Sequence, residues 1–222
     1  MEASLCLLVT GSRYCSFREM SATFEPRLDI LPDSQRRLWP ELDAIPSDFV
    51  LYGGTGLALQ LGHRASEDFD FFSSLGFDPD RLRSRLPFFR DLDPTDPDAW
   101  VHRKRDNLEA FVNRGGAVKI AFFGGLDTLQ RVEDPRRAMG SRVRVASLLD
   151  LAGMKMRVIQ VRANWKDYVD IHTLASHGID IPTGLGAATS FPVVASNVSK
   201  LPSVPVNWTR SGSPKAALAT AS

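Results

Sequence analysis

Cysteine is nearly absent, with only Cys6 and Cys15 in 222 residues. Two thiols close to one end build neither a disulfide framework nor a Cys/His metal cluster, and such usage suits a reducing cytoplasm. Long apolar runs are missing too, as none approaches the roughly 20 residues of a membrane-spanning helix. Net charge is also lacking: 27 Lys and Arg stand against 26 Asp and Glu, leaving +1. No global basic field therefore advertises nucleic acid, and any RNA contact requires a local patch. What remains is ordinary globular usage, 43% hydrophobic and 24% charged. The length suits one domain, or one domain with a small appendage, and is enough to bury a core.

The most informative stretch is residues 49–72. Residues 49–52 are an apolar and aromatic run that reads as a buried strand. Gly53 and Gly54 break it with a turn, and Thr55 sits where a helix begins, with Leu57, Ala58 and Leu61 at helical spacing. Backbone without side chains at a helix start is a ready phosphate site, because free N–H groups and the positive end of the dipole point the same way. A second strand carries Asp68 and Asp70. A strand repeats every two residues, so both carboxylates leave one face, with Cα atoms roughly 6.5 Å apart. Phe69 and Phe71 point the other way, into a core. Two carboxylates beside a phosphate cradle suit a Mg²⁺ site for a nucleotide. Each piece alone has a plain structural explanation, since Gly-Gly turns before helices are common and Asp-x-Asp can be a solvated strand face. All of them in order within about 20 residues is far more specific.

This stretch resembles the nucleotidyltransferase superfamily that includes DNA polymerase beta. It is most similar to the AbiEii/AbiGii-type toxin family, through Gly53-Gly54-Thr55-Gly56-Leu57-Ala58, Gly62-His63-Arg64 and Ser66-Glu67-Asp68-Phe69-Asp70-Phe71-Phe72. The resemblance implies a polymerase-beta-like α/β (α+β) core, a small mixed sheet flanked by helices, with further C-terminal helices. It also implies that Gly53, Gly54 and Thr55 hold the triphosphate, that Arg64 and Ser66 lie in the nucleotide site, and that Asp68 and Asp70 bind Mg²⁺ or Mn²⁺. His63 is balanced between a structural and a functional role.

Around this centre, residues 29–44 have helical spacing that Pro40 kinks or splits. Ile30, Leu31, Leu38 and Leu42 fall on one side, and Gln35, Arg36 and Arg37 on the other. A helix is expected over 78–86, with Asp78 as N-cap and Pro79 as its first residue. Arg81, Arg83 and Arg85 are expected to face solvent. Strands at 108–112 and 117–123 flank a hairpin turn at 113–116. Residues 118–123 hold no acid, and Glu109 is the lone acid of the hairpin strands, with no motif around it. That departs from the superfamily, which often places a third carboxylate on a later strand.

Ser147 and Asp150 make a capping-box-like start to another helix. Along it Leu151, Lys155, Val158, Ile159 and Arg162 share a face, so Lys155 lies on the inward stripe and needs an anionic partner, a phosphate or an aspartate. In the following helix, Tyr168, Ile171, Leu174 and Ala175 are expected as the core stripe, with Asp167 at its border and Asp170 nearby. Similarity to the later AbiEii motifs implies catalytic or metal-organising roles for Lys155 and for Asp167, Asp170 or both.

The expected organisation is an upstream extension over 1–19, a nucleotidyltransferase domain over 20–180 that includes helices at 147–177, and a Pro/Ser-rich tail over 181–222. That tail holds five prolines and seven serines but no acid. The expected activity is Mg²⁺-dependent transfer of a nucleoside monophosphate from an NTP to an acceptor hydroxyl. The resemblance implies the toxin of a toxin–antitoxin pair, with a cognate antitoxin and with RNA, tRNA for example, as one acceptor. The residues alone leave open an enzyme of the same fold acting on a protein or small molecule, or a binding module that has lost its chemistry.

Overall fold

A computed structural model describes residues 23–92, 95, 99–126, 129–162 and 164–191. The expectations for residues 1–19 and for the chain past residue 191 lie outside the described residues. The strands are β1 (Thr23–Phe24), β2 (Val50–Leu51), β3 (Asp68–Phe72), β4 (Trp100–Lys104), β5 (Asn107–Asn113), β6 (Ala117–Phe123), β7 (Arg136–Ala138) and β8 (Arg144–Val145). The α-helices are α1 (Asp33–Leu38), α2 (Gly53–Leu61), α3 (Pro79–Arg85), α4 (Leu148–Val161), α5 (Trp165–Ser176) and α6 (Ile181–Ala188). All eight strands join one mixed sheet in the order β1-β7-β8-β2-β3-β6-β5-β4. The mixed α/β architecture expected from the sequence is therefore present, in a sheet broader than foreseen.

Local chemistry explains most boundaries. Pro40 splits the 29–44 region as expected, into α1 and a 3-10 helix over Trp39–Ala44. Gln35 differs: it is buried rather than on the solvent side. Asp78 caps α3 by accepting the Arg81 N–H at 2.7 Å. Asn113 Oδ1 accepts from the N–H groups of Gly115 and Gly116 and closes the β5–β6 hairpin. Ser147 Oγ caps α4 by accepting the Asp150 N–H. Asp150 does not complete a capping box; its carboxylate reaches sideways to accept from the Val132 and Glu133 N–H groups. The chain past Asp180, expected to open a tail, instead forms α6. The Asp180 side chain accepts the Thr183 N–H, and Pro182 sits in the first turn, where its missing donor costs nothing.

Two apolar layers lie on the two faces of the sheet. One buries Trp39, Phe49, Phe69, Phe71, Phe89 and Phe122. The other gathers Val50, Tyr52, Leu57, Leu151, Leu174 and Phe191 between the sheet and the helices. Each such buried side chain contributes about 1.5–3 kcal/mol. Phe69 and Phe71 take the first layer, so the alternation of β3 sends Asp68 and Asp70 to the helical side. There the helices stand over β2 and β3. Beyond them the β6–β5 part of that face remains open, with Ala117, Phe111 and Asn113 exposed and Lys119 and Glu109 half-buried.

Candidate active site

The site forms where β2 runs into α2 beside β3. Helix α2 begins at Gly53, two residues earlier than the sequence suggested. Gly53 has φ +71°, a left-handed conformation that favours glycine. A Cβ there would stand 2.9 Å from Asp70 Oδ2, so the carboxylate lies directly against the glycine backbone. A Cβ on Gly54 would stand 2.5 Å from Arg64 Nη2 and 2.9 Å from Ser66 Oγ. No side chain caps this helix end. The first bond of the ladder runs from Gly56 N–H to Tyr52 C=O, so the amides of Gly53, Gly54 and Thr55 precede it and lie outside the helical ladder. Thr55 offers its amide only. Its hydroxyl donates to the Asp68 carbonyl at 2.5 Å, and Tyr52 N–H donates to the Asp70 carbonyl at 2.9 Å. These two bonds fix the cradle against the strand that carries the acids.

Asp68 is exposed and Asp70 half-buried. Burial first, and then the charge of Asp68, pushes the Asp70 carboxyl up to about 6. Two hard oxygen donors that repel one another fit a divalent cation, which would remove the repulsion. Among the described residues no group of three or more His, Cys, Asp or Glu is disposed around one metal position, so the pair alone would hold the ion on the protein side.

Glu109 was isolated in the sequence but is not isolated in space. Asp70 pairs with Ala121 on β6, and Ala121 with Glu109 on β5, so the two carboxylates occupy one row of one face. Asp68 pairs in the same way with Lys119, and Lys119 with Phe111. Lys119 Nζ lies 3.1 Å from Glu109 Oε2. Burial works against its charge, but the Glu109 bond and the nearby Asp70 and Asp68 charges more than offset it, raising the ammonium above the ordinary lysine value. No local pattern shows this row. It follows from the β3–β6–β5 register.

On the other side, α4 and α5 bring a cluster of ions to the cradle. Asp170 Oδ1 accepts from Arg64 Nε at 2.6 Å and Oδ2 from Arg64 Nη2 at 2.8 Å. His63 Nε2 lies 2.7 Å from Asp170 Oδ1, and Lys155 Nζ 2.6 Å from Oδ2. Lys155 also donates to Asp167 Oδ1 at 2.8 Å. Burial would raise Asp170, but hydrogen bonds from His63 and Arg64 and the Lys155 charge hold it well below the usual carboxylate range. Lys155 is thus inward, as its position predicted, and its anionic partners are aspartates. The face of α5 differs from the expectation. Asp167, Asp170 and Leu174 are buried, whereas Tyr168 is exposed to 51% and Ala175 is exposed. The helix is turned so that its acids meet the cations of α4 and of the α2–β3 connection, a stronger demand than seating one tyrosine.

The sequence-derived residues Gly53, Gly54, Thr55, Arg64, Ser66, Asp68, Asp70, Lys155, Asp167 and Asp170 therefore converge on one corner of the sheet. A family model, "Nucleotidyl transferase AbiEii toxin, Type IV TA system", matches residues 41–212. The protein aq_aa25 of Aquifex aeolicus (strain VF5) is 31% identical over 138 residues, which are 62% of this chain and 63% of that relative. The match thus spans less than two thirds of the relative's length. Two solved structures align in part. A candidate nucleotidyltransferase from H. pylori has 20% identity and a TM-score of 0.49, covering 70% of this chain and 71% of that one. JHP933 from Helicobacter pylori has 19% identity and a TM-score of 0.47, covering 70% and 68%. The family match takes in the glycine cradle, both acids of β3 and the ionic cluster of α4 and α5 together, and the chain belongs to the AbiEii nucleotidyl transferase toxin family of type IV toxin–antitoxin systems.

Proposed function

We propose that the protein transfers a nucleoside monophosphate from an NTP to an acceptor hydroxyl, as the toxin of a toxin–antitoxin pair. One observation carries this reading: an uncapped glycine helix start lies directly against a two-carboxylate strand, with Arg64 set at its side. The amides of Gly53, Gly54 and Thr55 and the Arg64 guanidinium would take the β- and γ-phosphates. Lys155 adds positive charge behind Arg64. Asp68 and Asp70 would hold Mg²⁺ or Mn²⁺, and such an ion, when bound, draws charge from the α-phosphate and activates the attacking hydroxyl. The acceptor oxygen bonds to the α-phosphorus, the bond to the β-phosphate oxygen breaks, the hydroxyl proton passes to solvent water and pyrophosphate leaves. Burial and the Asp68 charge push the Asp70 carboxyl up to about 6, and a cation there would favour its ionised form.

Asp170 is a positioning residue in this scheme. Its carboxylate is buried beneath three basic side chains, and its low basicity makes it a poor proton acceptor. It fixes Arg64 and Lys155 in place before substrate arrives, and Asp167 secures Lys155 from the other side. The acceptor we favour is RNA, with tRNA the first to try. A cytoplasmic location suits a nucleotide substrate and the scarcity of cysteine. Among the described residues no helix is long and apolar enough to cross a membrane.

Gly54→Ala tests the cradle. Its methyl group would press on Arg64 Nη2 and Ser66 Oγ rather than on any backbone, and moving Arg64 also disturbs its bond to Asp170. Calorimetry with Mg²⁺ and each NTP should show binding weakened by about tenfold or more, the scale of one charge-assisted hydrogen bond, with a urea midpoint that falls by less than in Asp170→Ala. Wild-type affinity in the variant would remove the phosphates from this helix start.

A further inference from the structure

Strand β6 lies beside β3 on the side away from the glycine cradle, since the sheet runs β2-β3-β6-β5. Lys119 is the β6 partner of Asp68 in that parallel pair, with the two strands about 4.8 Å apart. Its Nζ lies 3.1 Å from Glu109 Oε2, and Glu109 belongs to the next row, that of Ala121 and Asp70. The lysine therefore leans along the face toward the Asp70 row. Ala121 fills the position between Asp70 and Glu109 with a single methyl group, which leaves space for an ammonium there. Both acids of β3 act on the Lys119 charge.

A lysine–glutamate pair on a strand is often a solvated bridge of small value. This pair has a different setting. Its side chains are only 31% and 16% exposed, and they share the face of Asp68 and Asp70. A fixed ammonium there opposes a divalent ion on those carboxylates. A residue that works against metal binding yet is held in place by its own counterion needs a task of its own.

Phosphoryl transfer supplies one. The attacking and leaving oxygens stand roughly in line across the phosphorus. With the β- and γ-phosphates on the α2 cradle, Arg64 and Lys155 serve the leaving side. The attacking oxygen then falls on the β6 side of β3, where Lys119 stands. Two-ion sites give each of these oxygens a cation of its own. Here Glu109, the third acid of these rows, is already engaged by Lys119. Among the described residues no third acid joins Asp68 and Asp70 around one metal position.

We propose that Lys119 is a catalytic residue whose ammonium, seated by Glu109, meets the attacking oxygen and the α-phosphate, so that the site works with one divalent ion rather than two. The proposal rests on the nucleotidyltransferase reading and deepens it. Lys119 keeps its protons throughout. It steadies the negative charge that develops as the acceptor oxygen bonds to phosphorus, while the hydroxyl proton goes to water. Glu109 is a positioning residue that holds the long side chain in place before substrate arrives.

Equilibrium dialysis of the full chain against Mn²⁺ and non-hydrolysable analogues of the four NTPs counts the ions retained. Wild type should retain one Mn²⁺ per chain with its analogue. Lys119→Glu should retain two, since it exchanges the fixed cation for another carboxylate. In a separate assay of pyrophosphate release with Mg²⁺–NTP and total tRNA, Lys119→Met should lower kcat about 100-fold, the scale of one lost donor to a developing negative charge. Its KM for Mg²⁺–NTP should stay near that of wild type, and Lys119→Arg should recover part of the rate. Two Mn²⁺ ions on the wild-type chain overturn the proposal and leave the nucleotidyltransferase reading standing. So does a Lys119→Met chain that keeps kcat and loses only urea stability, because the pair is then a structural bridge. No Mn²⁺ retained by wild type would remove the metal role of Asp68 and Asp70, and this proposal with it.

Discussion

Asp170→Ala is expected to be the most damaging single substitution in the site, costing about 3–5 kcal/mol. The side chain is fully buried and meets Arg64 through both oxygens, with His63 and Lys155 on the same carboxylate. Removing it leaves buried positive charge without its counterion. Urea denaturation should show the loss directly. It should also depend on pH. The folded state holds the Asp170 proton more weakly than an unfolded chain does, so the carboxylate stabilises the fold above the unfolded value of about 3.9, and this contribution fades as pH falls below it. The gap between wild type and the variant should therefore be largest near neutrality and should narrow below about pH 4. Asp170→Asn should fall between the two, since it keeps the shape but not the charge. A wild-type midpoint in Asp170→Ala at pH 7 would mean that the cluster is solvated and does not hold Arg64 and Lys155 in position.

The second large effect runs the other way for stability. Asp70→Asn should reduce nucleotide transfer by more than about 100-fold, because a preorganised charge at the reacting centre is lost. Yet in metal-free buffer at pH 8 the variant should melt a few degrees higher than wild type. Asp70 is pushed up to about 6 by burial and by Asp68. The folded state thus binds this proton more tightly than the unfolded chain, and ionising the group costs stability as pH rises from about 4 to 6. The deficit persists at higher pH until a cation relieves it. Asparagine removes the charge and with it the deficit. Differential scanning calorimetry from pH 4 to 8 should show the two proteins alike at the acid end and apart above about 6, with Mg²⁺ raising the wild-type Tm only. A variant less stable than wild type at pH 8 would mean that Asp68 and Asp70 do not repel each other as their positions imply.

How far the sequence disclosed this site depends on the range of each interaction. Gly53, Gly54, Asp68 and Asp70 are legible because their geometry is local: a turn, a helix start and a two-residue strand period fall within 20 residues. Lys155 is legible for a similar reason, since helical spacing puts its charge on an apolar stripe. The face of α5 is not, because what turns Asp167 and Asp170 inward is charge from Arg64 and Lys155 and a bond from His63, all on other elements. Apolar periodicity favours Tyr168 and misplaces the helix. Glu109 and Phe111 are invisible for another reason. Their place beside the acids depends on the register of three strands, and pairing at a distance leaves no trace in a single strand. Strands β1, β2 and β8 have two residues each, too few to show a period at all. Helix α6 was hidden by its glycines and alanines, which carry little amphipathic pattern.

A transfer assay on the full chain tests the assignment of Asp68 and Asp70 most directly. Wild type and an Asp68→Ala/Asp70→Ala double variant are incubated with Mg²⁺ and total tRNA, with each NTP in turn labelled either at the α- or at the γ-phosphate. Wild type alone should move label onto RNA, from the α position only, for at least one nucleotide, and chelating the metal should stop it. Equal labelling by the double variant, or label arriving from the γ-phosphate, would contradict the assignment of Asp68 and Asp70 to nucleotidyl transfer.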